Sequence, residues 1–466
     1  DDVLSDGRGS DQLYGGSGAD VFVMKDDGAY DTISDFEVGV DRVDVSDYVM
    51  TYAPDQLQVT TLSGGMTIWF GSERLDILSS SGYELTVADV FGPHFINPDR
   101  PYISNVGEIL GTPQNDTLVG TRLSDYIMGL LGDDMIYGGE GSDAIDGGGG
   151  DDVLQGEAGS DLLHGQAGHD TLLGGDDSDR VYGGDGNDGL HGQDGADLLY
   201  GEDGEDVLNG DEGDDRVYGG SGNDDLEGGN GHDIIKGGSG RDAIRGGSGQ
   251  DSIWGGKHGD RAWGGDGNDT LYGEDGDDRV YGENGDDRVD GNDGDDRVYG
   301  DGGNDWLHGD AGNDLIWGGD GADRAYGGIG DDRIFGENDD DLIYGEDGDD
   351  LMNGNAGNDR IYGGNGNDDR SGDIGDDFIK GDNGNDLIHG DAGNDTIYGG
   401  RHGDRAWGGD GDDSVYGGAG DDRVYGENGD DRVDGNAGDD RVYGDAGFDW
   451  LHGNEGDDMI WGGDDG

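Results

Sequence analysis

Residues 426–444 read GENGDDRVDGNAGDDRVYG, and residues 282–300 read GENGDDRVDGNDGDDRVYG. Each stretch holds two nine-residue units that open on Gly, carry Asp at the sixth place and Val at the eighth, followed by the Gly of the next unit. Working outward, the chain from Gly111 to Trp461 divides into such units with no insertion or deletion: 351 residues, or 39 units. Position one is Gly and position six is Asp in all 39; position eight is apolar in 38, the exception being Arg370. A register held over that length marks a stacked repeat architecture.

Composition alone points elsewhere. Among 466 residues there are 109 Gly, 112 Asp+Glu against 26 Lys+Arg, a formal charge of −86 and only 30% hydrophobic residues. Such a mixture ordinarily stays disordered, but a disordered acidic chain has no reason to keep a nine-residue register. The charge excludes nucleic acid as a natural partner and disfavours anionic membranes; it invites cations. There is no Cys to form disulfides. No apolar run reaches membrane-spanning length, and no signal peptide opens the chain. The sequence starts and stops in mid-pattern, at Asp1-Asp2-Val3-Leu4 and Gly462-Gly463-Asp464-Asp465-Gly466, so it reads as a segment of something longer.

Each unit parses as a six-residue turn, G-G-x-G-x-D, followed by a three-residue strand, x-U-x. Position four is Gly from the third unit onward except at Asp177, His258, Asp339 and His402, residue types that tolerate positive φ. Neighbouring strand residues point to opposite faces, so position eight faces in and positions seven and nine face out. Two units make a coil of 18 residues, and the expected fold is all-β: a right-handed parallel β-roll. With coils about 4.8 Å apart, some 19 coils give a rod roughly 90 Å long. A thin file of Val, Leu and Ile does not by itself offset the ordering of so many glycines. The turns gather carboxylates and bare carbonyls, hard oxygen ligands that point to Ca²⁺. If the turn of each unit pairs with the turn two units on, there are about 37 candidate sites in the long roll, and filling them nearly cancels the charge.

The pattern G-G-x-G-x-D-x-U-x resembles the calcium-binding nonapeptide of RTX (repeats-in-toxin) proteins, over residues 111–466 and a short piece at 6–23. The resemblance implies a β-roll secreted through a one-step Gram-negative channel, unfolded in the low-calcium cytosol and folding outside. It also implies that position-six carboxylates of successive coils, with turn carbonyls, ligate each ion. That role falls on Asp11 and Asp20 in the short piece. In the long roll it falls on Asp116, Asp125, Asp134, Asp143, Asp152, Asp161, Asp170, Asp179, Asp188, Asp197, Asp206, Asp215 and Asp224. It continues through Asp233, Asp242, Asp251, Asp260, Asp269, Asp278, Asp287, Asp296, Asp305, Asp314, Asp323, Asp332 and Asp341. It ends with Asp350, Asp359, Asp368, Asp377, Asp386, Asp395, Asp404, Asp413, Asp422, Asp431, Asp440, Asp449 and Asp458.

Within residues 21–92, VFVMKDDGAYDTISDFEVGVDRVDVSDY and ERLDILSSSGYELTVADVFG resemble the β-rich cap that closes the rolls of serralysin-type proteases and alginate epimerases. Alternation in Asp41-Arg42-Val43-Asp44-Val45 and Met66-Thr67-Ile68-Trp69-Phe70 supports strands there independently. The expected domains are therefore the end of a first roll (1–23), its cap (24–92), a linker (93–110) and a long roll (111–466). Pro54, Pro93, Pro98 and Pro101 precede that roll, Pro113 sits in its first turn, and no Pro follows.

No catalytic constellation emerges. No His is followed by Glu, which rules out H-E-x-x-H, and no Ser is flanked by Gly at −2 and +2. Paired carboxylates are better explained as cation ligands than as a catalytic dyad. His164, His191, His308, His389 and His452 fall at position nine and face solvent. Residues 18 apart stack, so Trp263, Tyr281, Tyr299, Trp317 and Phe335 form one outward file and Trp407, Tyr425, Tyr443 and Trp461 another. Arg261, Arg279, Arg297 and Arg333, and later Arg405, Arg423 and Arg441, run beside them. These files either stiffen the sheet or offer a stripe to polysaccharide or to a neighbouring rod. Residues 258–309 and 402–453 match at 44 of 52 positions, an offset of eight coils. Arg370 breaks the core file and is expected to force a bulge or to swing outward. The leading expectation is a calcium-stabilised extracellular structural protein, part of a surface layer, matrix fibre or adhesin, able to self-associate. The alternatives are the repeat tail of a secreted enzyme and a carbohydrate-binding module.

Overall fold

The computed structural model describes residues 108–463 together with the segments 3–5, 12–14, 21–23, 30–36, 42–44, 58–62, 65–70 and 73–79. All of its regular elements are β-strands, and no helix among the described residues is long and apolar enough to cross a membrane. The chain forms two units. One holds Asp1–Leu110 with Val119–Met128 and Gly138–Ile145, and the other holds Gly111–Leu118, Gly129–Tyr137 and Asp146–Gly466.

In the first unit, Val3–Ser5 pairs in parallel with Val21–Val23, which pairs with Arg42–Asp44. The register Val3↔Val21 is again 18 residues. A second sheet starts in the same way, Gln12–Leu13 beside Tyr30–Phe36 and then Glu73–Ser79, but turns antiparallel through Gly65–Phe70 and Gln58–Leu62. Leu13, Ile33, Leu75 and Ile77 are buried there, and the buried Thr67 hydroxyl donates to Asp76 Oδ1 at 2.6 Å.

The second unit is a parallel β-solenoid with 18 residues per turn. Alternate strands build two sheets, one running from Val153–Ala158 to Met459–Trp461 and the other from Leu162–Ala167 to Trp450–Glu455. Every pairing keeps the same step, as in Leu208↔Leu226 and Val298↔Ile316. Position eight faces inward from Leu154 to Val442, with Leu163, Val217, Ile235, Ile316 and Val424 fully buried, and becomes exposed only at the terminal Ile460.

Two expectations are corrected. The strands have six residues, not three, as in Val207–Glu212, apart from the terminal Met459–Trp461. Pairing skips the Gly at position one and resumes at positions two and three, for example Asp211↔Gly229 and Glu212↔Asn230. The strand therefore bends at position one without leaving the ladder. Nor does Arg370 bulge or swing out. Met352↔Arg370 and Arg370↔Ile388 stay in register, and the side chain is fully buried.

Position four does require positive φ. Asp177, His258, Asp339 and His402 lie between 74° and 78°, the left-handed well open to such side chains. Position two, which the pattern also writes as Gly, is a second left-handed site, held by residues such as Glu283 (φ 74°), Asn292 (φ 73°) and Asp301 (φ 69°).

Candidate metal centres

Position six closes each turn, so its side chain points from the corner of the coil back toward the axis. From Asp125 to Asp440 these residues are buried, none more than 3% exposed, while Asp116, Asp449 and Asp458 are half-buried. Asp11 and Asp20 lie outside the described residues.

The two carboxylate oxygens have different fates. Oδ1 accepts the backbone N–H of the position-six residue one coil earlier: Asp278 N–H donates to Asp296 Oδ1 at 2.7 Å, and Asp296 N–H to Asp314 Oδ1 at 2.8 Å. Oδ2 is buried as well, and from Asp170 to Asp440 it has no hydrogen-bond partner except at Asp368. A buried carboxylate oxygen without a partner is costly, and here the cost repeats in every unit. Each Oδ2 leans on the Gly that opens its own unit. A Cβ on Gly291 would stand 2.6 Å from Asp296 Oδ2 and 3.0 Å from the Gly309 carbonyl oxygen. A side chain at position one would fill the cradle where carboxylate and carbonyl oxygens converge.

The electrostatics agree. Burial drives these carboxyls upward, against the lowering effect of the backbone N–H, and neighbouring carboxylates push in the same direction as burial. Asp296, Asp341 and Asp404 are pushed up to about 8, Asp287 to about 7 and Asp278 to about 6. Such a row either holds protons or takes counter-cations. All the donors are oxygens, carboxylate and carbonyl, an irregular hard set that suits Ca²⁺ better than the strict octahedron of Mg²⁺.

This geometry has a counterpart in known sequences. The RTX calcium-binding nonapeptide repeat, in blocks of four copies, matches residues 1–23, 110–369 and 371–466 in overlapping stretches. The chain belongs to the RTX calcium-binding repeat family. No characterised protein matches it as a relative. This RTX chain is thus a calcium-binding β-roll, and its buried oxygens fit the ion of its family.

A second ladder was hidden by variable residue types. At position five, Asp or Asn Oδ1 accepts from the coil that follows: Asn313 N–H donates to Asp295 Oδ1 at 2.8 Å, and Asp331 N–H to Asn313 Oδ1 at 2.9 Å. It runs opposite to the position-six ladder, and the frequency of Asp and Asn at this place was the available signal.

The outward files are stacks. Ring centroids lie 5.6 Å apart for Trp263–Tyr281, 4.4 Å for Tyr281–Tyr299 and 4.5 Å for Tyr299–Trp317. Their faces cover one another and leave edges to the solvent.

Among the position-nine His residues, His308 has company: its Nδ1 lies 3.9 Å from buried Asp290 Oδ1 and 3.7 Å from Asp310 Oδ1. Trp306 Nε1–H donates to His308 Nε2 at 2.5 Å, which puts the ring proton of a neutral imidazole on Nδ1, facing the carboxylates. In this tautomer Nδ1 is a donor, not a metal ligand. The duplicated coils repeat the pattern with Trp450, His452 and Asp434.

Proposed function

We propose that this RTX chain is a calcium-assembled structural segment that works outside the cell, as part of a surface layer, matrix fibre or large adhesin, and that it carries no catalysis of its own. The observation behind this reading is the row of buried Oδ2 atoms without hydrogen-bond partners, aligned coil after coil from Asp170 to Asp440 with Asp368 the exception. A row so costly without cations makes the roll a structure conditional on calcium. With a formal charge of −86 on the chain, that condition is met where calcium is abundant, as it is outside cells. Position-six carboxylates are the proposed ligands, with position-one carbonyls such as that of Gly309 completing the set, and ion binding is the folding step itself. A uniform stack whose ring faces are self-covered supports a load-bearing or spacing role over ligand capture.

The test is circular dichroism with sedimentation velocity, in calcium and after chelation, both at pH 8. The expected result is a β-rich elongated particle in calcium that associates with rising concentration, and an expanded coil in chelator. A chain that stays β-rich after exhaustive chelation overturns the calcium reading. One that stays monomeric at every concentration overturns assembly.

A further inference from the structure

Arg370 is the one charged residue at position eight of the long roll. Its side chain is fully buried, yet the strand Asp369–Ile374 is regular. The guanidinium turns back to the corner of the coil. Nη2 donates to Asp368 Oδ2, to the Gly381 carbonyl at 3.1 Å and to Asp386 Oδ1 at 3.3 Å. These are the partners that recur at every step of this edge: a position-six Oδ2, the position-one carbonyl one coil on, and the position-six Oδ1 one coil on. A Cβ on Gly363 would strike Arg370 Nη2 first, where on Gly345, one coil earlier, it meets Asp350 Oδ2 and the Gly363 carbonyl. Correspondingly, Asp368 is the member of the row from Asp170 to Asp440 whose Oδ2 has a partner.

We infer that Arg370 is a resident cation that takes the place of one calcium ion, so that the step between Asp368 and Asp386 is held without metal while its neighbours along the edge are metal-bound. The inference rests on the calcium reading above. The substitution has a cost: Nε and Nη1 are buried without acceptors, so the guanidinium serves the carboxylates with one nitrogen only. In return this step is indifferent to the calcium concentration, and the ion ladder of this edge falls into two runs joined by a permanent link.

Native mass spectrometry in calcium counts bound ions on the intact chain. Arg370→Leu, which restores an aliphatic side chain as at the other position-eight sites, is expected to bind one ion more than wild type, and Arg370→Met the same. Equal counts in wild type and both variants overturn the inference. No calcium on any of the three overturns the parent reading instead. Hydrogen exchange on the wild type needs no variant: during calcium titration, amides around Asp368 and Asp386 are expected to gain protection at lower calcium than the rest of the roll. Protection that arrives there no earlier than elsewhere also overturns it.

Discussion

At the scale of single residues, the decisive asymmetry lies within one carboxylate. Oδ1 is satisfied by a backbone N–H one coil away, and Oδ2, from Asp170 to Asp440 and outside Asp368, by nothing in the chain. The pH dependence follows with a definite sign. In an unfolded chain these groups titrate near about 3.9, whereas in the cation-free roll burial holds Asp296 and Asp341 up to about 8 and Asp278 to about 6. Folded-state values above the unfolded ones mean that the folded form binds the extra protons. The stability they contribute is complete below about pH 4 and is lost as pH rises through roughly 6 to 8. In chelator the roll is therefore expected to keep β-structure near pH 4 and to lose it by pH 8. In calcium, protons compete with the ion, so the calcium midpoint should rise as pH falls from 8 to 6. Circular dichroism across a pH–calcium grid checks both. A midpoint that does not move with pH would contradict the assignment of these carboxylates as ligands.

At the scale of elements, the six-residue strand is short, and its strength comes from what stacks on it. Tyr299 lies between Tyr281 and Trp317, with centroids 4.4 and 4.5 Å away. Aromatic pairs contribute about 0.5–1.5 kcal/mol each beyond buried area, so Tyr299→Ala should cost about 1–3 kcal/mol, and Tyr299→Phe should be nearly neutral. Urea unfolding in saturating calcium measures both; an unchanged midpoint for Tyr299→Ala would mean that the file does not stiffen the sheet. Much of this scale was legible in advance, because residues 18 apart had to stack once two units made a coil. The strand length was not. Gly at position one reads as turn, and only the geometry shows Asp211 and Glu212 rejoining the ladder beyond it. Arg370 was misjudged for a related reason: position eight says which way a side chain starts, but not that Asp368 and Asp386 stand close enough to receive its far end.

At the scale of the whole solenoid, each coil touches only its neighbours, so stability is close to a sum of coil terms and nearest-neighbour terms. Replacing Asp278, Asp296 and Asp314 together by Asn removes three consecutive ligands from one edge and should divide the roll into two independently folding blocks. Calcium titration followed by hydrogen exchange is then expected to show one transition more than wild type, and an unchanged number would refute nearest-neighbour coupling through that edge. The period, the sheet assignment and the carboxylate row were all readable from Gly at position one and Asp at position six. The position-five ladder was not, because Asp, Asn, Ser and His share that place.

The constant pairing of residue i with i+18 has a mechanical side. The hydrogen bonds between coils lie along the direction in which the coils stack, so tension applied at the two ends of the roll opens them one row at a time instead of shearing many together. Each row that yields releases 18 residues, about 60 Å of slack at full extension, and frees the ions it shared with its neighbour. The yield force is then written by the surrounding medium: where calcium is plentiful the thread holds, where it thins the thread pays out, and it rewinds when the ions return.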